Sequence, residues 1–338
     1  MFRKIFLYIS CFFATQSVVA QDIHFSNFYT NTLNVNPANS GNFIGQYRFC
    51  LAYRDQYRTV AQPYQTFTAN FDGKYTKRYR KDFMGYGLLF NFDKAGDANY
   101  NMVQIGIPIT YLFPLASGKI IFSAGIQPSL GYNSIDYSSL AFQEQFDGIQ
   151  YNPDIEVSEN FETNSVLYFD LNAGALAIFK ASKKQSYTFG VALFNINRPS
   201  ISFFDDEEVS LKSRAMLHGT ADLSVLSDFD IIPGFKIQFQ GKQHEFHFGG
   251  MCVKYFDKSA ISRIQSGIWY RSKNNDAIIL GLGCNYQQFD IMLDYDINIS
   301  SLKTASNTHG AFEITMSWIV EKNDRNKRMT AIRCPHTL

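Results

Sequence analysis

The chain has 338 residues and a formal net charge of +1, so no global field exists to hold nucleic acid or an acidic substrate. Aromatic residues reach 16%, with 32 Phe and 20 Tyr against 2 Trp, while charged residues stop at 18%, below the usual quarter. A mean hydropathy of -0.17 is too polar for a bundle of membrane helices, which is thereby excluded.

Residues 1–20 read as a secretory signal peptide. Arg3 and Lys4 form a basic start, residues 5–14 are an apolar run, and Val18-Val19-Ala20 places small or short residues before Gln21. Cys11 leaves with that segment, and Cys50, Cys252, Cys284 and Cys334 remain. Their spacing fits neither a dense disulfide scaffold nor a metal knuckle, so they are read as small wall residues plus one tail thiol.

Residues 21–45 carry no period. Asn36-Pro37-Ala38 and Gly41 interrupt any regular strand or helix, since proline lacks a donor and restrains its neighbour while glycine permits positive φ. A fixed irregular segment is predicted. Sealing a barrel floor, plugging a lumen and docking a periplasmic partner are all open to it.

From 46 to 320 the pattern is period two, in about fourteen segments of roughly 9 to 15 residues bounded by Gly, Asn, Asp, Ser or Lys. That length lets a tilted strand cross a bilayer. Residues 103–111, 167–179, 235–240 and 289–299 show it best. Asp170, Asn172, Lys236, Gln238, Gln240, Asp290, Asp294 and Asp296 fall on the polar faces, and apolar or aromatic side chains on the others. The predicted class is all-β, a transmembrane antiparallel outer-membrane barrel of about 14 strands, because strands in hydrocarbon must leave no unpaired edge. Connection lengths alternate as outer-membrane barrels require, long at 133–164, 195–210 and 300–310 and short at 115–118, 181–184 and 286–287. The connections at 241–244 and 74–81 are exceptions. Lys74, Lys77, Arg78, Arg80 and Lys81 fall on the latter, either as a solvated turn or as a contact for an acidic partner. Tyr53, Tyr57, Tyr64, Tyr86, Tyr111, Trp269, Tyr270 and Trp318 lie near predicted strand ends, as interfacial girdles do. Residues 321–338 form a predicted periplasmic tail.

Chemistry is not signalled. No histidine pair has metal-ligand spacing, and His244 and His247 would face opposite sides of a strand. Asp205-Asp206-Glu207-Glu208 is read as an exposed acidic loop. No nucleophile elbow, phosphate loop or dinucleotide fingerprint occurs. The expectation is a protein without catalytic residues, metal or cofactor.

The mature ends carry a likeness. Gln21, Asp22, Phe25 and Ser26, then Asn36, Pro37, Ala38 and Gly41, then Tyr53-Arg54-Asp55-Gln56-Tyr57, closely resemble the type IX secretion system membrane proteins of the PorP/SprF family of Bacteroidota. Asp72 after an alternating strand, Gly85-Tyr86-Gly87, Asp93 before Gly96, and Cys334 with Pro335 in the tail agree. Tyr57 stands where Trp is more usual, and His336-Thr337-Leu338 departs from the family's short basic and hydrophobic end. The resemblance implies an outer-membrane component or accessory of type IX secretion or gliding. Its partners would be lipid, a secreted adhesin with a C-terminal sorting domain and other secretion components, bound through those matched residues. A diffusion channel or hydrophobic-substrate transporter lined by the inward polar residues is the alternative, and a secreted soluble β-protein the third reading.

Overall fold

Alternation dictates the wall. A computed structural model describes residues 23, 25–58, 62–76, 81–152, 154–155, 163–204, 206, 209–257, 259–272, 276–300 and 303–320. The leader 1–20, Gln21, Asp22, and the tail with Cys334 and Pro335 lie outside them, as do Lys77, Arg78, Arg80, Asp205, Glu207 and Glu208. Among the described residues, fourteen antiparallel strands close into a barrel.

The strands are β1 (Tyr47–Gln56), β2 (Tyr64–Thr76), β3 (Phe83–Ala95), an interrupted β4 (Tyr100–Gly106 and Ile109–Leu115), β5 (Ile120–Ser134), β6 (Ser165–Ser182) and β7 (Gln185–Phe194). The second half comprises β8 (Arg214–Leu226), β9 (Phe229–Gln240), β10 (Gln243–Tyr255), β11 (Ile261–Ser272), β12 (Ala277–Tyr286), β13 (Phe289–Asn298) and β14 (His309–Val320). Each pairs with its sequence neighbours, and β1 closes the ring by facing β2 through Tyr53↔Phe67 and β14 through Tyr53↔Ile314. No edge remains for lipid to meet.

The stretch 103–111, predicted as one strand, is broken at Pro108, which has no N–H to give the ladder. The wall stays shut there. Register against β3 runs unshifted from Leu89↔Gly106 to Tyr86↔Ile109, and the Pro108 carbonyl accepts from Gly87 N at 3.0 Å. Two further expectations are corrected. β6 has 18 residues, longer than any predicted segment. Asp72 lies inside β2 and not after it.

Strand parity separates two environments. Leu51, Leu88, Ile107, Leu130, Phe169, Val191, Phe248, Ile268, Leu282 and Leu293 are exposed on the outer face, an apolar surface far beyond what a soluble monomer presents. Trp269, predicted for the girdle, is instead buried inside the barrel. It shares inward parity with Gln265 and Arg271, both buried. Trp318 does stay outside, stacked between Phe49 at 5.3 Å and Phe289 at 6.0 Å.

The two rims differ. At one end lie the long connections 135–164, 195–213 and 299–308; at the other lie 116–119, 183–184 and 287–288, together with residue 46 and Val320. Outer-membrane barrels keep their short turns in the periplasm. Residues 25–45 fold back inside the ring, with one helical turn (Thr32–Val35) and one 3-10 turn (Pro37–Asn39).

Candidate functional site: the occupied lumen

The segment before β1 is threaded lengthwise through the barrel. Near the long-loop rim, Arg214 at the head of β8 donates to the Ile23 carbonyl at 3.1 Å. At the short rim, Phe43 lies under Arg48 and Lys74 at 4.8 and 4.9 Å, and Gln46 N donates to the Val320 carbonyl at 2.7 Å. The residues from Phe25 to Phe43 are buried or half-buried.

Three kinds of contact hold it. The first is charge. Arg54 of β1 bridges Asp296 of β13 at 2.9 Å and Glu313 of β14 at 3.3 Å, and Arg271 of β11 reaches the same Asp296 oxygen at 2.9 Å. Into this cluster the segment inserts Ser26, whose N donates to Glu313 at 2.7 Å and whose Oγ donates to Asp296 at 2.6 Å, while Arg54 donates to Ser26 Oγ. Asn27 Nδ2 donates to Asp294 at 3.1 Å. Three strands, β1, β13 and β14, thus grip two consecutive residues, and Arg271 of β11 braces the Asp296 that one of them holds. Buried charges are tolerated only when paired and hydrogen-bonded, and Arg54 supplies that pairing to Asp296 and Glu313, as Arg271 does to Asp296.

The second is apolar. Phe28, Tyr29 and Val35 pack against a set of inward side chains from β7 to β13 that includes Phe194, Met216, Ile232, Met251, Trp269 and Met292. The Tyr29 and Trp269 rings sit 5.8 Å apart, and the Tyr29 hydroxyl donates to the Ile232 carbonyl at 3.2 Å. Apolar and charged inward side chains thus share the wall from β7 to β13.

The third is a run of asparagines facing β2, β3, β6 and β7. Asn70 donates to Asn31 at 2.8 Å, Asn91 to Asn34 at 2.8 Å, and Asn36 Nδ2 to the carbonyls of Ala175 and Val191 at 3.1 Å each. Asn36 Oδ1 also caps the 3-10 turn by accepting from Ala38 N at 2.9 Å. Further down, Ser123 Oγ donates to the Ala38 carbonyl at 2.6 Å and Thr110 Oγ1 to the Ser40 carbonyl at 3.0 Å. Gly41, at φ 73°, turns its N toward Asp72 at 2.8 Å, and Arg48 Nε holds the other oxygen of that carboxylate at 2.8 Å. Backbone lies so close to the wall that a Cβ on Gly174 would sit 1.9 Å from Asn36 Oδ1, and one on Gly85 2.0 Å from the Ser40 carbonyl oxygen.

The residues singled out from sequence are distributed as follows. Phe25, Asn36, Pro37, Ala38 and Gly41 belong to the threaded segment, with Phe25 packed beside Ile23, Ala52 and Met102. Arg54 and Gln56 point into the lumen, 3.4 Å apart at Arg54 Nη2 and Gln56 Oε1. Tyr53 faces outward, its hydroxyl donating to Asp55 at 3.1 Å. Asp170, Asn172, Lys236, Asp290, Asp294 and Asp296 are buried inward. Lys236 pairs with Glu245 at 3.1 Å, Asp290 with Arg263 at 2.6 Å, and Asn172 donates to Asp170 at 2.9 Å. Gln238 lines a residual cavity of about 20 Å³ together with Ile23, Phe25, Arg214 and Lys236, room for about one water. Glu313 and Arg271 were not singled out; counting strand parity back from Trp318 and forward from Gln265 would have placed both inward.

His247 is buried inward while His244 lies against Phe246 outside, and no group of three potential metal ligands occurs among the described residues. Cys50 is buried, with its thiol 3.7 Å from the Thr30 carbonyl, and Cys252 and Cys284 are free thiols of the wall.

A sequence profile described as type IX secretion system membrane protein PorP/SprF matches residues 17–318. No curated relative matches the chain. Among solved structures, the CymD monoaromatic hydrocarbon channel is similar with a TM-score of 0.52 at 9% identity, covering 87% of this chain and 94% of its own. The Ralstonia pickettii toluene transporter TbuX reaches 0.53 at 10% identity, covering 86% and 92%. At such identities the likeness is one of fold.

Proposed function

The chain belongs to the type IX secretion system membrane protein family PorP/SprF, and from that premise we propose that it serves in the outer membrane as a binding component of type IX secretion. In this reading the leader 1–20 is removed on export and the barrel sits in lipid. Its exposed ends engage a secreted adhesin's C-terminal sorting domain and the periplasmic machinery. It does no covalent chemistry and needs no cofactor. Gln21, Asp22, Cys334 and Pro335 enter this proposal by resemblance alone.

The observation that carries the binding role is the occupied lumen. A conduit needs inward polar groups facing water, whereas here Asp294, Asp296 and Glu313 are consumed by Ser26, Asn27, Arg54 and Arg271. That argues against the water-filled diffusion channel of the alternative reading. The test is a strain lacking this chain. Loss of sorting-domain proteins from the cell surface and medium, restored by the full-length gene, supports the proposal; undisturbed export removes it. Affinity purification from detergent-solubilised outer membrane then identifies the bound adhesin.

A further inference from the structure

Fourteen strands bring the wall back to the rim where it began, so Gln46 before β1 and Val320 at the end of β14 meet at the short rim, 2.7 Å apart at N and O. The chain before Gln46 does not leave by that rim. Two strands serve as rulers for its course. Along β1, Phe43 lies against Arg48, the Thr30 carbonyl against Cys50, and Ser26 against Arg54. Along β14, Thr30 Oγ1 donates to Thr315 Oγ1 at 3.4 Å and Ser26 N to Glu313 at 2.7 Å. Both rulers read in one direction, away from the short rim, and at about 3.4 Å per strand residue Arg48 and Arg54 lie about 20 Å apart. The climb ends at Ile23, whose cluster with Phe25, Ala52 and Met102 carries Tyr100, and whose carbonyl accepts from Arg214. Tyr100 and Arg214 are the first residues of β4 and β8, at the long-loop rim.

Beside the upper part of the segment the lumen is too full for the chain to double back. The residual cavity bounded by Ile23, Phe25, Arg214 and Lys236 is about 20 Å³, room for about one water, whereas an extended chain needs the width of a strand, about 4.8 Å, along its whole course. The Tyr100 ring meets Phe203 of the long connection 195–213 at 6.4 Å, so the end of the threaded segment comes up among the long loops. We infer that the N-terminal end of the exported chain emerges on the cell surface, through its own barrel, while the end of β14 stays on the periplasmic side. The inference rests on the proposed function for the compartment that each rim faces and for removal of the leader. It also divides that function between the two ends: a secreted partner meets the N-terminal end outside the cell, and the periplasmic machinery meets the short rim at Gln46 and Val320.

The test places single added cysteines in the full-length protein and labels intact cells with a membrane-impermeant maleimide, the unaltered protein giving the background of its own thiols. Gln150→Cys on the long connection 135–164 and Asp257→Cys on the short turn after β10, both exposed positions, mark the two sides. Asp22→Cys is expected to label in intact cells as strongly as Gln150→Cys, whereas Asp257→Cys gains its label only after permeabilisation. Label on Asp22→Cys that waits for permeabilisation overturns the inference. So does the reverse behaviour of the two markers, which would turn the barrel over. Should Asp22→Cys stay unlabelled under both conditions, an epitope inserted between Gln21 and Asp22 decides: antibody bound to intact cells supports the inference, and antibody bound only after permeabilisation removes it. Heat-modifiable mobility on gels shows that each variant is a folded barrel. The secretion role is judged apart from this, since undisturbed export in the deletion strain removes it wherever the N-terminal end lies.

Discussion

Arg54 Nη2 lies 2.9 Å from Asp296 Oδ2 although 242 positions separate them. Their strands are not ladder partners, since β14 lies between β1 and β13. The pair therefore belongs to the filled interior, where Ser26 is gripped, and not to the sheet. It ties barrel closure to the presence of the threaded segment.

Removing the guanidinium tests that tie. Arg54→Met keeps the bulk but leaves Glu313 and one side of Asp296 uncompensated in a dry site, which should cost about 3 to 5 kcal/mol. The measurement is the urea midpoint of refolded protein in lipid vesicles. Adding Glu313→Gln to Arg54→Met should recover part of the loss, because coupled neighbours are not additive. A single-variant cost under about 1 kcal/mol would show the cluster to be solvated, as exposed pairs are.

The threaded segment makes a second forecast. Cys50 lies beneath it, so its thiol should resist a membrane-impermeant maleimide in the native protein and react once the segment is gone. Deleting residues 25–41 should also produce conductance in planar bilayers, where the intact protein gives little. Should that deletion fail to assemble, Gly174→Ala tests the same contact more gently by driving Asn36 from its place, with Cys50 labelling as the readout. Open-pore conductance in the intact protein would contradict the occupied lumen.

How much of this the sequence disclosed follows from the range of each interaction. Alternation is local, so residues 289–299 and 167–179 declare both faces of their strands unaided, and strand number and rim asymmetry follow from connection lengths. Trp269 lies near a strand end, which points to the girdle, but its parity with Arg271 decides its face. Pro108 is legible as a missing donor, but not as harmless, since that depends on the Gly87 and Pro128 ladders beside it. The destination of Asn36, Gly41 and Ser26 was hidden for another reason. Their partners Val191, Asp72 and Glu313 lie far along the chain, and polar inward residues look alike whether they meet water or a plug.

The assigned faces yield the last prediction. Leu293 sits midway along β13, opposite Leu282 of β12, and both are exposed on the outer wall. Arginine at position 293 must carry its charge into hydrocarbon, at about 2 to 4 kcal/mol if the site is near the midplane. Ser317, one strand further round, points inward and is buried with its hydroxyl unpartnered. Ser317→Ala removes a polar atom that satisfies nothing, so it should be neutral or slightly stabilising. Folding titrations of both variants in bilayers of matched thickness measure the contrast. Equal tolerance would mean that lipid does not contact the Leu293 face, and the membrane-spanning assignment of β13 would fall.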